Sequence, residues 1–239
     1  MNRRTGGTLI LHDTHMIDFV NFTYGKAQAE KYCFEEHKKR VSLDDVGKLI
    51  STLSEYKTPF LKSIIKYADT LIVHSPTSAS LIDKIYGTNV KYLPISMSYY
   101  LTEQDLSVES RNQAKVAAGL SPTRPCIVSF GEVHMLKGAK QCIYTAKELH
   151  EWGVDFQLVF VGPIEENLKN ELTSRIESYG LSDYISFTGA VSEAIYVQYL
   201  KAADINLQIR QIPFGQVSGA LLDAVSAGMH GVASENLAK

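Results

Sequence analysis

The chain has 239 residues, of which 45% are hydrophobic, and its 24 basic and 26 acidic residues give a formal net charge of −2 at pH 7. This length allows one large domain or two small ones with a buried core, and the balanced charge argues against a nucleic-acid-binding surface. The three cysteines, Cys33, Cys126 and Cys142, show no metal-ligand spacing, which predicts a reducing compartment and no disulfide framework. No apolar run approaches the ~20 residues needed to cross a bilayer.

The first half of the chain predicts a small unit of parallel strands. A strand followed closely by a helix and another strand indicates a βαβ unit. The predicted strands are Thr8–Leu11, Thr70–His74 and Val90–Leu93, and the predicted helix between the last two is Pro76–Tyr86, closed by Gly87. Three further helical segments are expected between the first two strands: Gln28–Lys39, a segment beginning at Ser42, and Pro59–Tyr67.

The second half alternates between strand and helix at least five times. The predicted strands are Cys126–Phe130, Phe156–Val161, Ile185–Thr188, Ile205–Ile209 and Gly231–Ser234. The predicted helices are Glu109–Ala118, Ala139–Trp152, Glu165–Tyr179, Ser192–Ala202 and a last helix that begins at Ser218. Such alternation predicts a doubly wound, mostly parallel sheet.

His12 and Asp13 directly follow the first predicted strand. In an open α/β sheet, ligands gather outside the carboxyl ends of the strands, so these two side chains stand where a binding site is expected. The alternative is that His12 caps the strand and bonds to a neighbouring main-chain group. The sequence favours neither interpretation over the other.

The stretch Phe214–Gly228 predicts a loop of small residues that runs into a helix. Ser218 is a good N-cap, and Gly219 lets the main chain approach a ligand closely. The free amides and the dipole of such a helix start form a site for an anion, typically a phosphate. Asp223, one turn further, could accept from a ribose hydroxyl. The alternative is a buried helix with a glycine-bearing entry loop.

Further candidates follow other strands of the second half. Lys137 lies in the loop that begins at Gly131, where a lysine can serve as a mobile charge for a phosphate; the alternative is an ordinary surface lysine. Gly162 could line the same crevice or form a turn. Arg210 could meet a phosphate or a sugar, or pair with a nearby acid.

Several well-known motifs do not occur in the sequence. No G-x-G-x-x-G opens a helix after a strand, no G-x-x-x-x-G-K-[ST] is present, and no G-x-S-x-G nucleophile elbow is found. The seven histidines show no metal spacing with the cysteines. No metal site is therefore expected.

Together these segments resemble the retaining glycosyltransferases of family four, which have the GT-B fold. The second half is similar to their donor-nucleotide domain, and the first half to the end of their acceptor domain. The similar segments of the second half are Ser129–Gly138, Leu158–Pro163, Ile185–Ser192, Tyr199–Arg210 and Gly215–Ser234. Those of the first half are Ile10–Asp13, Tyr67–Ser75 and Tyr86–Ser96.

This resemblance implies transfer of a sugar from a nucleoside-diphosphate sugar to a glycan, lipid or other acceptor, with retention of configuration and without a cofactor or metal. It implies a role in polysaccharide biosynthesis and a cytoplasmic location, with peripheral association at the inner membrane face as a further expectation. Nucleic acid is not an expected partner.

The resemblance also assigns roles to residues. Lys137 matches the phosphate-binding lysine, the amides around Val217–Gly219 match the helix start that cradles the diphosphate, and Asp223 matches an acid that holds the ribose. His12 matches a histidine that faces the transferred sugar. The expected catalytic residues are His12 and Lys137, and the expected donor-binding residues are Gly131, Lys137, Gly162, Arg210, Gln216, Val217, Ser218, Gly219 and Asp223.

The sequence departs from the family pattern at several of these positions. Glu132 stands where the family has arginine or a neutral residue, and Gly215 stands where it has the first of two acids. Asp223 is shorter than the usual glutamate. These departures support an alternative, a non-catalytic GT-B-like subunit or a module that binds a nucleotide sugar. A third possibility is an unrelated α/β nucleotide-binding enzyme, which the missing motifs disfavour.

The predicted architecture is therefore α/β with two Rossmann-like units of GT-B type. The expected domains are residues 1–97, the C-terminal part of an acceptor-side domain, and residues 98–239, the donor-binding domain. Because the first half holds few strands and the last strand begins near the end of the chain, we expect a fragment cut at both ends, with the first unit incomplete.

Overall fold

The computed structural model describes residues 6–14, 16–38, 61–211 and 217–238. These residues form two compact units. The first comprises the described residues up to Ile95 together with Val217, and the second comprises Ser96–Gln211 and Ser218–Ala238. The helix expected to begin at Ser42 lies outside the described residues.

A three-stranded parallel sheet of order β1-β2-β3 forms the centre of the first unit. Its strands are β1 (Gly7–Leu11), β2 (Ala68–Val73) and β3 (Val90–Tyr92). The helices of this unit are α1 (Ile17–Tyr24), α2 (Lys26–His37), α3 (Lys62–Ile65) and α4 (Pro76–Tyr86). Leu11, Leu71 and Val73 of the strands pack with Ile82 of α4 in a buried core.

The βαβ unit expected from the sequence is present, and its helix has the expected ends. Ser75 caps α4, since its hydroxyl accepts from the amide of Ser78 at 3.3 Å, and Gly87 ends the helix with φ of 58°. Two helices differ from expectation. α1 has no side-chain cap that would mark its start in the sequence. Of the expected helix Pro59–Tyr67, the structure describes residues 61–67, and of these only Lys62–Ile65 is helical, because β2 begins shortly after it.

The second unit is a five-stranded parallel sheet of order β6-β5-β4-β7-β8 with helices on both faces. Its strands are β4 (Cys126–Phe130), β5 (Gln157–Val161), β6 (Ile185–Phe187), β7 (Ile205–Gln208) and β8 (His230–Ala233). Its helices are α5 (Val108–Ala117), α6 (Ala139–Glu151), α7 (Glu166–Ser178), α8 (Glu193–Ala202), α9 (Gly219–Ser226) and α10 (Glu235–Ala238). Two short 3₁₀ turns are Glu103–Leu106 and Met135–Lys137. The predicted doubly wound sheet is confirmed.

Two apolar cores lie on the two faces of this sheet. On one face, Ile143 of α6 and Leu172 of α7 pack against Phe160. On the other face, Leu200 of α8 and Ala224 of α9 belong to a second core. Every residue of β5 is buried, as expected for a strand that helices cover on both sides.

The strand order of the second unit reverses between β4 and β7. The chain proceeds from β4 through β5 to β6 on one side, and β7 and β8 lie on the other side. Doubly wound sheets bind ligands at the carboxyl ends of the strands on either side of such a reversal. The loops that follow β4 and β7 therefore mark the place for a site.

Asp204, which directly precedes β7, joins three parts of the second unit. Its carboxylate lies 2.6 Å from the ammonium of Lys115 and 3.3 Å from the guanidinium of Arg111, both on α5. It also accepts from the amide of Cys126 at the start of β4, at 2.8 Å. Burial by itself raises the pKa of Asp204, but these donors together hold it below the ordinary value of 3.8.

We predict that Asp204→Asn lowers the free energy of unfolding by about 3 kcal/mol at pH 7, because it leaves the buried ammonium of Lys115 without a counter-charge. Since the folded-state pKa of Asp204 is depressed, its contribution is complete above the unfolded-state pKa and is lost as the pH falls through the folded-state pKa. Urea denaturation from pH 7 to pH 3 should therefore show the two proteins converging below about pH 4.

The matched control is Glu151→Gln, which breaks the exposed pair between Lys147 and Glu151 on α6. We expect this change to cost at most about 0.5 kcal/mol. An equal loss of stability in the two variants would show that Asp204 is an ordinary surface carboxylate.

Candidate functional site

The loop that follows β4 is attached to the end of β5 by main-chain hydrogen bonds. The amide of Gly131 donates to the carbonyl of Val161 at 2.9 Å, and the amide of Val133 donates to the carbonyl of Pro163 at 2.8 Å. Gly131 has φ of 95°, a conformation that favours glycine. The first part of the loop therefore leaves the sheet in a defined direction.

Gly162 lies directly against Gly131. A Cβ atom on Gly162, whose φ is 153°, would overlap the carbonyl group of Gly131. Gly162 also forms an isolated bridge with Gly189, which follows β6. The structure thus brings these glycines together at the carboxyl edge of the sheet. The sequence predicted that Gly162 lies at this edge, but it did not predict the contact with Gly131.

Lys137 is carried by the short 3₁₀ turn at the end of this loop. His134 caps the turn, because its Nδ1 accepts from the amide of Leu136 at 3.2 Å. Gly138 closes the turn with φ of 73° and lies so near Ile209 that an added Cβ would be 2.5 Å from Cγ2 of that residue. The main chain on both sides of Lys137 is therefore fixed before α6 begins.

A shallow cleft lies at the point where the strand order reverses. It brings together three of the predicted site residues, Gly131, Lys137 and Arg210. The rest of its lining comprises Ser129, Phe130, Glu132, Val133, His134, Ala139, Phe160 and Gln208. Two basic side chains thus line the same cleft at the carboxyl edge of the sheet.

Glu132 forms an ion pair with Lys137 inside this cleft. The ammonium of Lys137 lies 3.4 Å from a carboxylate oxygen of Glu132, and the two side chains are 32% and 59% exposed. An ion pair with this exposure contributes at most about 1 kcal/mol. An anion that enters the cleft can therefore compete with Glu132 for the ammonium.

Arg210 follows the end of β7 and lines the cleft. Its amide donates to the hydroxyl of Ser234 at 2.9 Å, and its guanidinium donates to the carbonyl of Ile209 at 3.4 Å. Gln208, two residues earlier, was not predicted. Its buried amide group donates to the carbonyl of Phe130 at 3.1 Å and joins the ends of β4 and β7. The available signal was the alternation of two polar residues, Asn206 and Gln208, with the apolar residues of β7.

The start of α9 has the predicted cap. The hydroxyl of Ser218, which is 6% exposed, accepts from the amide of Leu221 at 3.3 Å. The amides of Gly219 and Ala220 belong to the first turn, where an α-helix offers no internal acceptor. Val217 precedes the cap, and Gln216 lies outside the described residues.

Asp223 of α9 bonds to a tyrosine that the sequence did not single out. The hydroxyl of Tyr196 on α8 donates to a carboxylate oxygen of Asp223 at 2.9 Å. Burial and this hydrogen bond raise the pKa of Tyr196 above its ordinary value. The ring of Tyr196 also packs edge-on against Phe130, with centroids 5.0 Å apart. Asp223 is therefore held by a side chain that contacts the end of β4.

In the first unit, His12 and His74 form a pair at the ends of β1 and β2. Nε2 of His74 lies 3.1 Å from Nδ1 of His12. His12 thus bonds to a side chain, whereas the alternative interpretation had it bond to a main-chain group. The main-chain contact belongs to His74, whose Nδ1 lies 2.8 Å from the carbonyl oxygen of Leu93.

The family model for glycosyl transferases group 1 matches residues 110–236, more than half of the chain. The chain belongs to the glycosyl transferases group 1 family. The matched residues include the loop that carries Lys137 and the helix start at Ser218. A search among curated protein sequences finds no match.

Solved glycosyltransferase structures have the same fold. WaaG, a glycosyltransferase involved in lipopolysaccharide biosynthesis, superposes with a TM-score of 0.63 at 15% identity, over 98% of this chain and 58% of that one. A glycosyltransferase from Rickettsia africae gives 0.62 at 15% identity, over 77% of this chain and 48% of that one. Anabaena Alr3699/HepE, in complex with UDP and glucose, superposes with a TM-score of 0.59 at 16% identity, over 80% of this chain and 49% of that one.

These similarities show that the fold of this group 1 family member is GT-B, as the sequence predicted. The chain spans about half the length of the solved structures it matches. None of the helices in the described ranges is long and apolar enough to span a membrane. Within the same ranges, no group of three or more His, Cys, Asp or Glu side chains is arranged to hold a metal ion.

We predict that Gly162→Ala lowers the free energy of unfolding by about 3–4 kcal/mol, because the new methyl group overlaps the Gly131 carbonyl and the residue keeps a positive φ. The control is Gly153→Ala, at φ of 74° with no neighbouring atom within 4 Å of the added Cβ. That change should cost only about 1–2 kcal/mol. Thermal unfolding of both variants measures the difference, and equal costs would contradict the close contact.

Proposed function

We propose that this chain is the nucleotide-binding part of a glycosyltransferase that moves a sugar from a nucleoside-diphosphate sugar to an acceptor, with retention of configuration. The observation that carries the proposal is the position of Lys137, on a capped turn that lines the same cleft as Arg210, where the strand order reverses. Membership of the glycosyl transferases group 1 family supports the same class of reaction.

The proposed diphosphate contacts come from both faces of the second sheet. Lys137 precedes α6, which packs on one face, and Ser218 precedes α9, which packs on the other. Both helices begin after the carboxyl ends of strands, so their starts lie at the same edge of the sheet. We infer that Lys137 and Arg210 bind the phosphates together with the amides of Val217 and Gly219.

The remaining donor-binding residues would contact the ribose, the base and the transferred sugar. Asp223 would accept from the ribose, with Tyr196 holding the carboxylate in place through its hydrogen bond. Gly131 and Gly162 would allow the base to approach the main chain at the ends of β4 and β5. Gln216 would contribute from the loop before α9, and His12 would face the transferred sugar.

The chemistry requires stabilisation of a leaving group. As the bond between the sugar and the diphosphate breaks, negative charge develops on the phosphate oxygens. Preorganised amides and two cationic side chains stabilise that charge, which is the electrostatic contribution that enzymes use most. The departing phosphate can itself take the proton of the acceptor hydroxyl, so the proposal needs no separate base, cofactor or metal.

We further propose a glycan or a lipid-linked sugar as acceptor and a role in polysaccharide biosynthesis, in the cytoplasm or at the inner face of a membrane. WaaG acts in lipopolysaccharide biosynthesis, and HepE was crystallised with UDP and glucose. HepE thus supports a nucleotide-sugar donor, and WaaG supports a carbohydrate product.

A second candidate function is a non-catalytic subunit that keeps the fold. The ion pair between Glu132 and Lys137 favours it, because the carboxylate occupies the ammonium that would bind the phosphates. Transfer assays with labelled UDP-glucose or GDP-glucose and a mixed glycan and lipid-linked acceptor pool separate the two functions. Turnover that disappears with Lys137→Ala would exclude the non-catalytic subunit.

We predict that the chain binds UDP or GDP in titration calorimetry and that Lys137→Ala weakens this binding at least tenfold, about 1.4 kcal/mol or more. The control is Lys147→Ala on α6, whose ammonium pairs with Glu151 outside the cleft; its affinity should match that of the unchanged chain. If neither nucleotide binds, or if both lysine variants bind equally well, the proposed donor site is wrong.

We also predict that Glu132→Gln tightens nucleotide binding by about two- to fivefold, since it removes a carboxylate that competes for Lys137. In the Lys137→Ala background, the same change should have a clearly smaller effect, because the competition no longer exists. Calorimetry on the four proteins of this cycle measures the coupling. Weaker binding by Glu132→Gln would mean that Glu132 itself contacts the ligand.

A further inference from the structure

The pairing of β1 with β2 brings two histidines together at the carboxyl edge of the first sheet. Leu11 and Val73 are the last paired residues of these strands. His12 and His74 directly follow them, so the two side chains emerge next to each other. Their rings have centroids 4.8 Å apart and planes inclined by 26°.

The main chain decides which nitrogen of His74 carries a proton. Nδ1 of His74 lies 2.8 Å from the carbonyl oxygen of Leu93. A carbonyl oxygen can only accept, so Nδ1 must be the donor. This carbonyl is itself held in place, because the amide of Leu93 donates to the carbonyl of Val73 at 2.9 Å and continues the pairing of β3 with β2.

The protonation of His74 then determines that of His12. A neutral imidazole has one donor and one acceptor nitrogen, so Nε2 of His74 is the acceptor. Its neighbour at 3.1 Å, Nδ1 of His12, must therefore donate. Nε2 of His12 is left without a proton. A neutral histidine in water more often has its proton on Nε2, so the pair selects the less common form of His12.

We propose that His74 is a positioning residue that holds His12 in the Nδ1–H form, so that Nε2 of His12 accepts a hydrogen bond from a hydroxyl group of the transferred sugar. This inference rests on the proposed function, in which His12 contacts the transferred sugar. A site built to accept from a hydroxyl discriminates against a sugar that lacks it, because the acceptor is then left unpaired.

The first experiment measures the protonation of His12 directly. Long-range ¹H–¹⁵N NMR spectra of the chain at about pH 8 should show a protonated Nδ1 and an unprotonated Nε2 for His12. His74→Gln keeps an acceptor for His12 and should keep this form. His74→Leu has no acceptor, and Nε2–H should become the main form. A protonated Nε2 of His12 in the unchanged chain would overturn the proposal.

The second experiment separates positioning from general structure. UDP-glucose and UDP, or GDP-glucose and GDP if guanine nucleotides bind, are titrated into the same proteins. His74→Leu should weaken binding of the nucleotide sugar about fivefold and leave that of the nucleoside diphosphate unchanged, and His74→Gln should restore most of the loss. A purely structural role would weaken both ligands equally, and that result would contradict the proposal.

A double-mutant cycle tests whether His74 acts through His12. His12→Ala should weaken binding of the nucleotide sugar by itself, and adding His74→Leu should have no further effect. Additive losses would refute the coupling. If no nucleotide binds to the unchanged chain, the proposed function fails and the sugar contact fails with it, while the NMR spectra still decide whether His74 fixes the form of His12.

Discussion

The parallel pairing of β4 with β5 and β7 is the constraint on which the second unit depends. It brings the carboxyl ends of three strands to one edge, and the reversal of strand order leaves a cleft there. The amide of Gly131 bonds to the carbonyl of Val161, so the loop after β4 starts in a fixed direction. Lys137 lies in the cleft because the hydrogen bonds of that loop and the close packing of Gly138 against Ile209 fix the main chain on both sides of it.

The cleft contains side chains of both charges. Lys137 and Arg210 make it attractive to an anion, whereas Glu132 supplies a carboxylate at the same place. Because the ion pair is half exposed to water, its attraction is partly screened and easily exchanged. A diphosphate with two negative charges is a stronger partner for the ammonium than a single exposed carboxylate, so the pair is compatible with binding rather than a barrier to it.

Much of the fold follows from local patterns in the sequence. The near-continuous apolar run Phe156–Val161 predicts a strand, and Ser218 predicts a helix cap. Each signal lies within a single segment, and both predictions are confirmed. The places of Gly131, Lys137 and Arg210 were also predictable, because each follows a strand. Their partners were not. Tyr196 bonds to Asp223 across two helices, and such a contact leaves no periodic trace in the sequence.

The sequence by itself therefore determined the order of the strands and of most helices, the parallel sheets and the edge at which the cleft lies, since these depend on hydrophobic periodicity and on short-range capping. Only the tertiary structure decided which side chains face each other. Glu132 opposite Lys137 and His74 beside His12 depend on strand register and on loop direction. Those are set by contacts between residues far apart in the chain, and a linear pattern carries no information about them.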